Sequence, residues 1–304
     1  MKTSSFLIAL LLTQIAGLAG CRAHRKVAPL IVPPPISVED QLRQINDRAV
    51  GLPDLKGHAK VTLTYFDPEG NKHTHDADGV FFLRQHMEDP SNPADMLLLG
   101  RVVGQDAFEA GMNRTDYWMA VRLDVKRAYV GAVGNMENVP VAAMPLRADR
   151  VAELAAVVPL RNSAVQHVSM LVNDGNASNE IYVSQLFPDG AWHIERVLVV
   201  NRITGHVVMV SLYNPDGTLL ARAGLSKFAP IPYSQDQQTP AGLGQQTFPM
   251  RIEIAYPDRD IQRTARVVLD FADLTIVPPI AEKKFEMPAF QEQGLNVVDL
   301  DKLK

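Results

Sequence analysis

Trp192–Lys227 reads WHIERVLVVNRITGHVVMVSLYNPDGTLLARAGLSK, three apolar runs broken at Thr204-Gly205 and at Pro215-Asp216-Gly217. Proline presets φ and glycine accepts positive φ, so each break is a turn and the runs pair as an antiparallel meander. One face of such a surface is too apolar to stay in water and needs a cover.

The same period of two recurs elsewhere. Val61, Leu63 and Tyr65 oppose Thr62 and Thr64; Met250, Ile252, Ile254 and Tyr256 oppose Arg251 and Glu253; Ala265, Val267, Leu269 and Phe271 repeat the pattern. Asp67-Pro68-Glu69-Gly70-Asn71 and Pro188-Asp189-Gly190 supply further turns. About a dozen strand candidates result, at the spacing of an all-β sandwich or barrel.

Two short helices interrupt this pattern. Ser37 opens the first, with Asp40 as a capping partner and Val38, Leu42, Ile45 and Ala49 on one stripe; Gly51 and Pro53 end it. The second is expected from Leu146 to Val158, with Val151, Leu154, Ala155 and Val158 aligned and Pro159 as its stop. Each must lay its apolar face on something else.

The composition agrees. The 304 residues are 46% hydrophobic and 21% charged, with 21 Pro and 19 Gly to serve the turns. This excludes a polytopic membrane protein, a collagen-like chain and a disulfide-stapled miniprotein. Thirty Lys+Arg against 34 Asp+Glu leave a net charge of -4. No broad basic field exists to grip a phosphate backbone, so nucleic acid is not an expected partner.

The N-terminus points to export. Met1 and Lys2 precede the apolar stretch Phe6–Ala16, interrupted only by Thr13 and Gln14 and too short to span a bilayer. Leu18-Ala19-Gly20-Cys21 then resembles the lipobox of bacterial lipoproteins, in which the thiol receives diacylglycerol. The alternative is an ordinary signal peptide, or a buried N-terminal helix with a chance cysteine. Cys21 is the only Cys, so an internal disulfide is impossible and acylation gives the thiol another purpose. Two or more acyl chains would anchor the protein stably, which a single chain does not.

The lipobox resemblance makes residues 1–20 a lipoprotein signal peptide; their removal takes away one lysine and no acid, for a mature charge of -5. Arg22 in place of Asp after the cysteine implies release to the outer membrane. Residues 21–36 form a lipidated basic and proline-rich tether, with RAHRKVAPLIVPPP spanning Arg22 to Pro35. Extended at roughly 3.1 Å per residue, these residues reach about 40 Å. Arg22, Arg25 and Lys26 sit where anionic headgroups would lie. A merely disordered leader is the alternative.

The order of elements is one helix, about half a dozen strands, a second helix and another meander, closed by Ala281–Phe290, AEKKFEMPAF. With Leu55-Lys56-Gly57 leading into the first strand, Asn113–Val121 (NRTDYWMAV), Val197–Leu220 and Phe285-Glu286-Met287-Pro288, it resembles the LolA/LolB-like superfamily of periplasmic lipoprotein carriers and receptors. The resemblance covers roughly residues 38–290. It implies a mainly β fold with short helices for residues 37–304: an incomplete antiparallel β-barrel (half-barrel) with helices lying in its open mouth, plus a C-terminal extension. The domain is longer than the usual carrier, with an insertion-like polar segment from Ser234 to Gln246.

In that architecture the core and the ligand cavity share inward-facing residues. From the helices and early strands the candidates are Leu63, Val151, Leu154 and Val158. From the later strands they are Val208, Val210, Ile252, Ile254, Val267 and Leu269. Trp118 is a further candidate ligand contact, against ordinary core or rim packing.

His73 and His75, alternate residues beside Asp76, are the candidate metal ligands. The same run reads equally well as the polar face of a strand, and no third ligand is placed by the sequence. No G-x-S-x-G motif or Gly-rich phosphate loop is present. Asn173–Glu180 lacks the spacing of a calcium loop and reads as a turn.

The expectation is therefore a non-enzymatic lipoprotein of the cell envelope, facing the periplasm from the outer membrane and using no cofactor. It would bind acyl chains of a lipid or lipoprotein in transport or sorting. The alternative is an envelope interaction or sensor subunit with a packed barrel and a protein partner at its rim.

Overall fold

The computed structural model describes residues 32–66, 71–86, 94–122, 126–138, 148–160, 163–187, 190–234, 246–257 and 264–302. The expected signal peptide, Cys21 and most of the tether lie outside them, as does nearly all of the polar insertion. The elements described below fall in one compact unit, Pro33–Lys304.

Helix α1 spans Val38–Val50. Its Ser37 cap accepts the Asp40 amide at 3.1 Å, and the Gly51 amide closes the other end on the Asp47 carbonyl at 2.9 Å. Strands β1 (Leu55–Phe66), β2 (Lys72–Arg84), β3 (Asp95–Val102), β4 (Gln105–Met112), β5 (Asp116–Val121) and β6 (Arg127–Ala132) follow. Helix α2 (Ala148–Leu154) separates them from β7 (Gln166–Asn173), β8 (Ser178–Leu186), β9 (Trp192–Asn201), β10 (Val207–Tyr213), β11 (Leu219–Pro230), β12 (Thr247–Tyr256) and β13 (Ala265–Ile276). The short β14 (Asn296–Asp299) ends the series.

Among the described residues, the fourteen strands make one sheet, in the order β14-β6-β5-β4-β3-β2-β1-β13-β12-β11-β10-β9-β8-β7. The pairings are antiparallel apart from β14 on β6, and β7 and β14 are not paired to each other, so the sheet stays open.

Its curvature follows from geometry. Helix α2 approaches β3, β4, β5 and β10. In the sheet β5 and β10 are eight strand spacings apart, and at about 4.8 Å each a flat sheet would separate them by ~38 Å. A seven-residue helix is only about 10 Å long, so the sheet must wrap around α2. Register breaks at His58/Ala59, Gly100/Arg101 and Val183/Ser184 supply the bends, since a bulged strand twists more strongly than its partner. This is the half-barrel with helices in its mouth.

The second helix is shorter than its sequence pattern suggests. Ala156 adopts φ 57, its amide reaches the Glu153 carbonyl at 3.0 Å, and the Val157 amide reaches Ala152 at 3.3 Å. These bonds end the helix before Pro159, with alanine in the left-handed position that glycine usually takes.

Two apolar clusters form, one on each face. The larger lies on the face that carries both helices and includes Leu55, Val61, Leu98, Tyr117, Ile181 and Phe248. The smaller lies on the opposite face, where Leu97, Trp118, Ala120 and Ala128 are covered by Phe285, Phe290 and Leu295 of the C-terminal segment.

Three aromatic rings lie across glycines of the neighbouring strand: Phe108 over Gly100, Trp118 over Gly111 and Tyr117 over Gly131. A Cβ at Gly111 would overlap the six-membered ring of fully buried Trp118. Gly111→Ala is therefore expected to destabilise the protein by about 1–3 kcal/mol, as overpacking does, seen as a lower urea midpoint with an unchanged slope.

Candidate functional site

The hollow of the half-barrel is where the candidate residues converge. Leu63, Val210, Ile252, Ile254, Val267 and Leu269 project into the larger cluster from β1, β10, β12 and β13; Val151 and Leu154 reach it from α2. Val158 is half-buried at its margin.

Two assignments need correction. Trp118 points to the opposite face, because strand parity turns Tyr117 and Met119 inward and Trp118 and Ala120 outward. Its indole donates to Glu109 Oε1 at 3.2 Å, and Glu109 also takes Arg122 at 2.9 Å. Val208 is half-buried and lies outside both clusters. A register break between Val207 and Met209 hands the inward position to Val207.

Seven residues long, α2 is far below the ~12–15 that an isolated helix needs. Packing holds it in place: Val151 is 2% exposed and Leu154 0%. Polar contacts add a latch, since Glu153 accepts Arg150 at 2.6 Å and Arg196 of β9 at 3.2 Å. Arg196 is only 6% exposed, on the same side of β9 as Leu198 and Val200. An inward arginine alternating with apolar residues was a readable sign in WHIERVLVV that sequence reasoning missed.

A void of about 10 Å³ lies between α2, Phe81, Met96 and Leu269. A second cavity, about 60 Å³, opens between the end of α1 and β10–β12. Apolar residues such as Leu52, Leu225 and Phe248 line it, with Arg48, His206 and Thr247 among its polar neighbours. His206 stacks on Phe228 with ring centroids 4.2 Å apart, and its Nε2 meets the Thr247 hydroxyl at 3.1 Å. Burial first, and the nearby Arg48 charge second, hold the His206 pKa below its ordinary value.

His73 and His75 share a face of β2 and flank Tyr65, with ring centroids 5.2 and 5.8 Å from it. Asp76 lies on the other side, taking the Thr62 hydroxyl at 2.6 Å and Lys60 at 3.3 Å. Among the described residues, no group of three or more His, Cys, Asp or Glu is placed to share a metal ion. Asn173–Glu180 spans the β7–β8 turn and the strand ends beside it, with the Asn176 amide on Asn173 Oδ1 at 3.2 Å.

Sequence reasoning also missed the network that fastens the C-terminal segment. Fully buried Asp95 binds Arg84 and, at 2.9 Å, His86. Arg84 in turn stacks on Phe285, 5.1 Å from the ring centroid, and donates to the Ile280 carbonyl at 3.3 Å. Asp54 accepts the Ile280 amide at 2.7 Å; burial raises its pKa even though this bond and one from the Gln85 backbone pull the other way.

No protein-family model and no curated protein matches the chain. Solved structures do. A putative outer membrane lipoprotein-sorting protein domain from Vibrio parahaemolyticus is 12% identical over 82% of this chain and 97% of that one, with a TM-score of 0.51. A LolA superfamily protein from Nitrosomonas europaea is 12% identical over 83% and 99%, at 0.47. A DUF1329 family protein from Desulfovibrio piger is 13% identical over 84% and 99%, at 0.49. At these identities the likeness is one of fold, and the Vibrio domain carries it. Together with the element order, it shows that this chain shares the fold of that domain, an open antiparallel half-barrel.

Proposed function

We propose that the protein is an envelope lipoprotein whose half-barrel takes up acyl chains of a lipid or lipoprotein, in transport or sorting and without covalent chemistry. In this reading Cys21 carries the lipid anchor, residues 1–20 are the signal peptide, and the anchor sits in the outer membrane. The observation that carries it is α2, a helix too short to stand alone, filling the hollow of an open apolar barrel. Displacing α2 exposes a slot for hydrocarbon. With no nucleotide-binding motif in the sequence, transfer would run on a difference in affinity between donor and acceptor. The likeness to the Vibrio lipoprotein-sorting domain supports this reading.

The small void beneath seated α2 favours a second reading, an interaction or sensor subunit whose barrel is filled by its own side chains. Mass spectrometry of the protein after mild extraction separates the two. The acyl-binding reading expects co-purified or added fatty acid bound to the folded protein; a protein that never binds labelled fatty acid would leave the packed-barrel reading standing.

A further inference from the structure

The 60 Å³ cavity has a chemical polarity. At its rim stand Arg48, from the last turn of α1, and His206, from the β9–β10 turn. Its wall is apolar, built from Ile45, Leu52, Leu225 and Phe248. Inward, it shares Ala155, Val157 and Phe248 with the void beneath α2, so these side chains form the partition between the two spaces. The partition sits on the Ala156 turn, whose φ of 57 is costly for any residue with a Cβ.

Arg48 donates to the Gly205 carbonyl, and among the described residues no carboxylate pairs with it. Elsewhere many cations have such partners: Arg196 has Glu153, Arg122 has Glu109 and Arg202 has Asp174. Its surroundings lower the Arg48 pKa, although the residue keeps contact with water at the rim.

We propose that this cleft is the entrance for an acyl chain ending in an anionic head group, with Arg48 and His206 holding the head and the hydrocarbon passing Phe248 toward α2. The inference rests on the acyl-binding reading above and names its ligand class. The shared chemistry is one negative charge on one hydrocarbon tail, whether a fatty acid carboxylate or a lipid phosphodiester. A neutral acyl glycerol lacks it.

The site carries its own pH signature. Among the described residues, the groups facing His206 are Arg48 from α1, Phe228 from β11 and Thr247 from β12, so the formal charge they bring is positive. A bound anion offsets that charge and favours the imidazolium. Binding then takes up a proton, and affinity rises as the pH falls through the imidazole range.

The full chain, kept in a neutral detergent, is titrated with oleate, oleoyl lysophosphatidylglycerol and mono-oleoylglycerol, and bound species are counted by native mass spectrometry. The unmodified protein is expected to bind both anionic amphiphiles about tenfold more tightly than the neutral one, the scale of one charge-assisted contact. Arg48→Gln should erase that preference and leave mono-oleoylglycerol unchanged, while Arg48→Lys retains part of it. The stronger of the two anionic ligands identifies carboxylate or phosphodiester. The phosphodiester, whose own charge does not titrate here, should bind more tightly at the acidic end of the range.

Equal binding of all three amphiphiles overturns the head-group site and leaves the acyl-binding reading intact. No binding of any overturns both. Should Arg48→Gln fail to fold, the selectivity and pH profile of the unmodified protein still decide.

Discussion

Leu154→Glu is expected to drive α2 out of the barrel while the sheet stays folded. Leu154 is fully buried in the larger apolar cluster, and a carboxylate there must either lose its charge or leave. The penalty is about 4 kcal/mol or more, in the range that burial of an unpaired charge produces. The helix can absorb it locally, because seven residues contribute no strand to the sheet.

Hydrogen exchange should show the α2 amides losing protection while those of β1 and β13, at the centre of the sheet, keep theirs. If the barrel receives acyl chains, the same variant should bind labelled fatty acid faster than the unmodified protein. If exchange instead rises uniformly across sheet and helix, α2 is an integral part of the core and not a displaceable cover.

Ending the chain at Pro279 should have the second large effect. It removes Phe285, Phe290 and Leu295, each buried against Trp118 and its neighbours. At about 2 kcal/mol per apolar side chain the loss is on the order of 6 kcal/mol, comparable with the entire stability of many domains. It also removes β14, leaving β6 as a free edge.

Fluorescence reports the change cleanly: the chain has two Trp, and Trp192 is already 49% exposed while Trp118 is 0% exposed. A red shift of the emission and concentration-dependent self-association are expected. An unshifted spectrum would show that the C-terminal segment, which straps this face through Phe285, Phe290 and Leu295, is not what shields Trp118. Phe285→Ala is the milder form, with a cost of about 3–5 kcal/mol.

The strap exposes a difference between local and remote information. Ala281–Phe290 was recognisable as a terminal segment with apolar residues, yet which face it covers depends on the parity of β5, far away in sequence. Trp118 shows the same. Its neighbours Tyr117 and Met119 are equally apolar, so DYWMAV has no alternation to orient it, and only the two covers, helices on one side and strap on the other, assign the residues to faces. Val208 was misplaced because VVMV is apolar throughout, and a register break in such a run leaves no trace in the hydrophobic pattern.

Strands, turns, the Ser37 cap and the order of elements were legible in the residues themselves, because period-two burial, glycine at positive φ and a capping hydroxyl act over a few neighbouring positions. Gly205 at φ 68 and Gly217 at φ 80 stand at the two turns of the Trp192–Lys227 meander. The tertiary structure alone decided which distant residues meet: Glu153 with Arg196 and Arg48 with His206 on the helix side, and Phe285 with Arg84 on the opposite face. The Glu153–Arg196 and Arg48–His206 pairs join residues far apart in sequence, brought together by the curl of the sheet around a short helix, and the sum of many small bends that sets this curl is encoded at no single position.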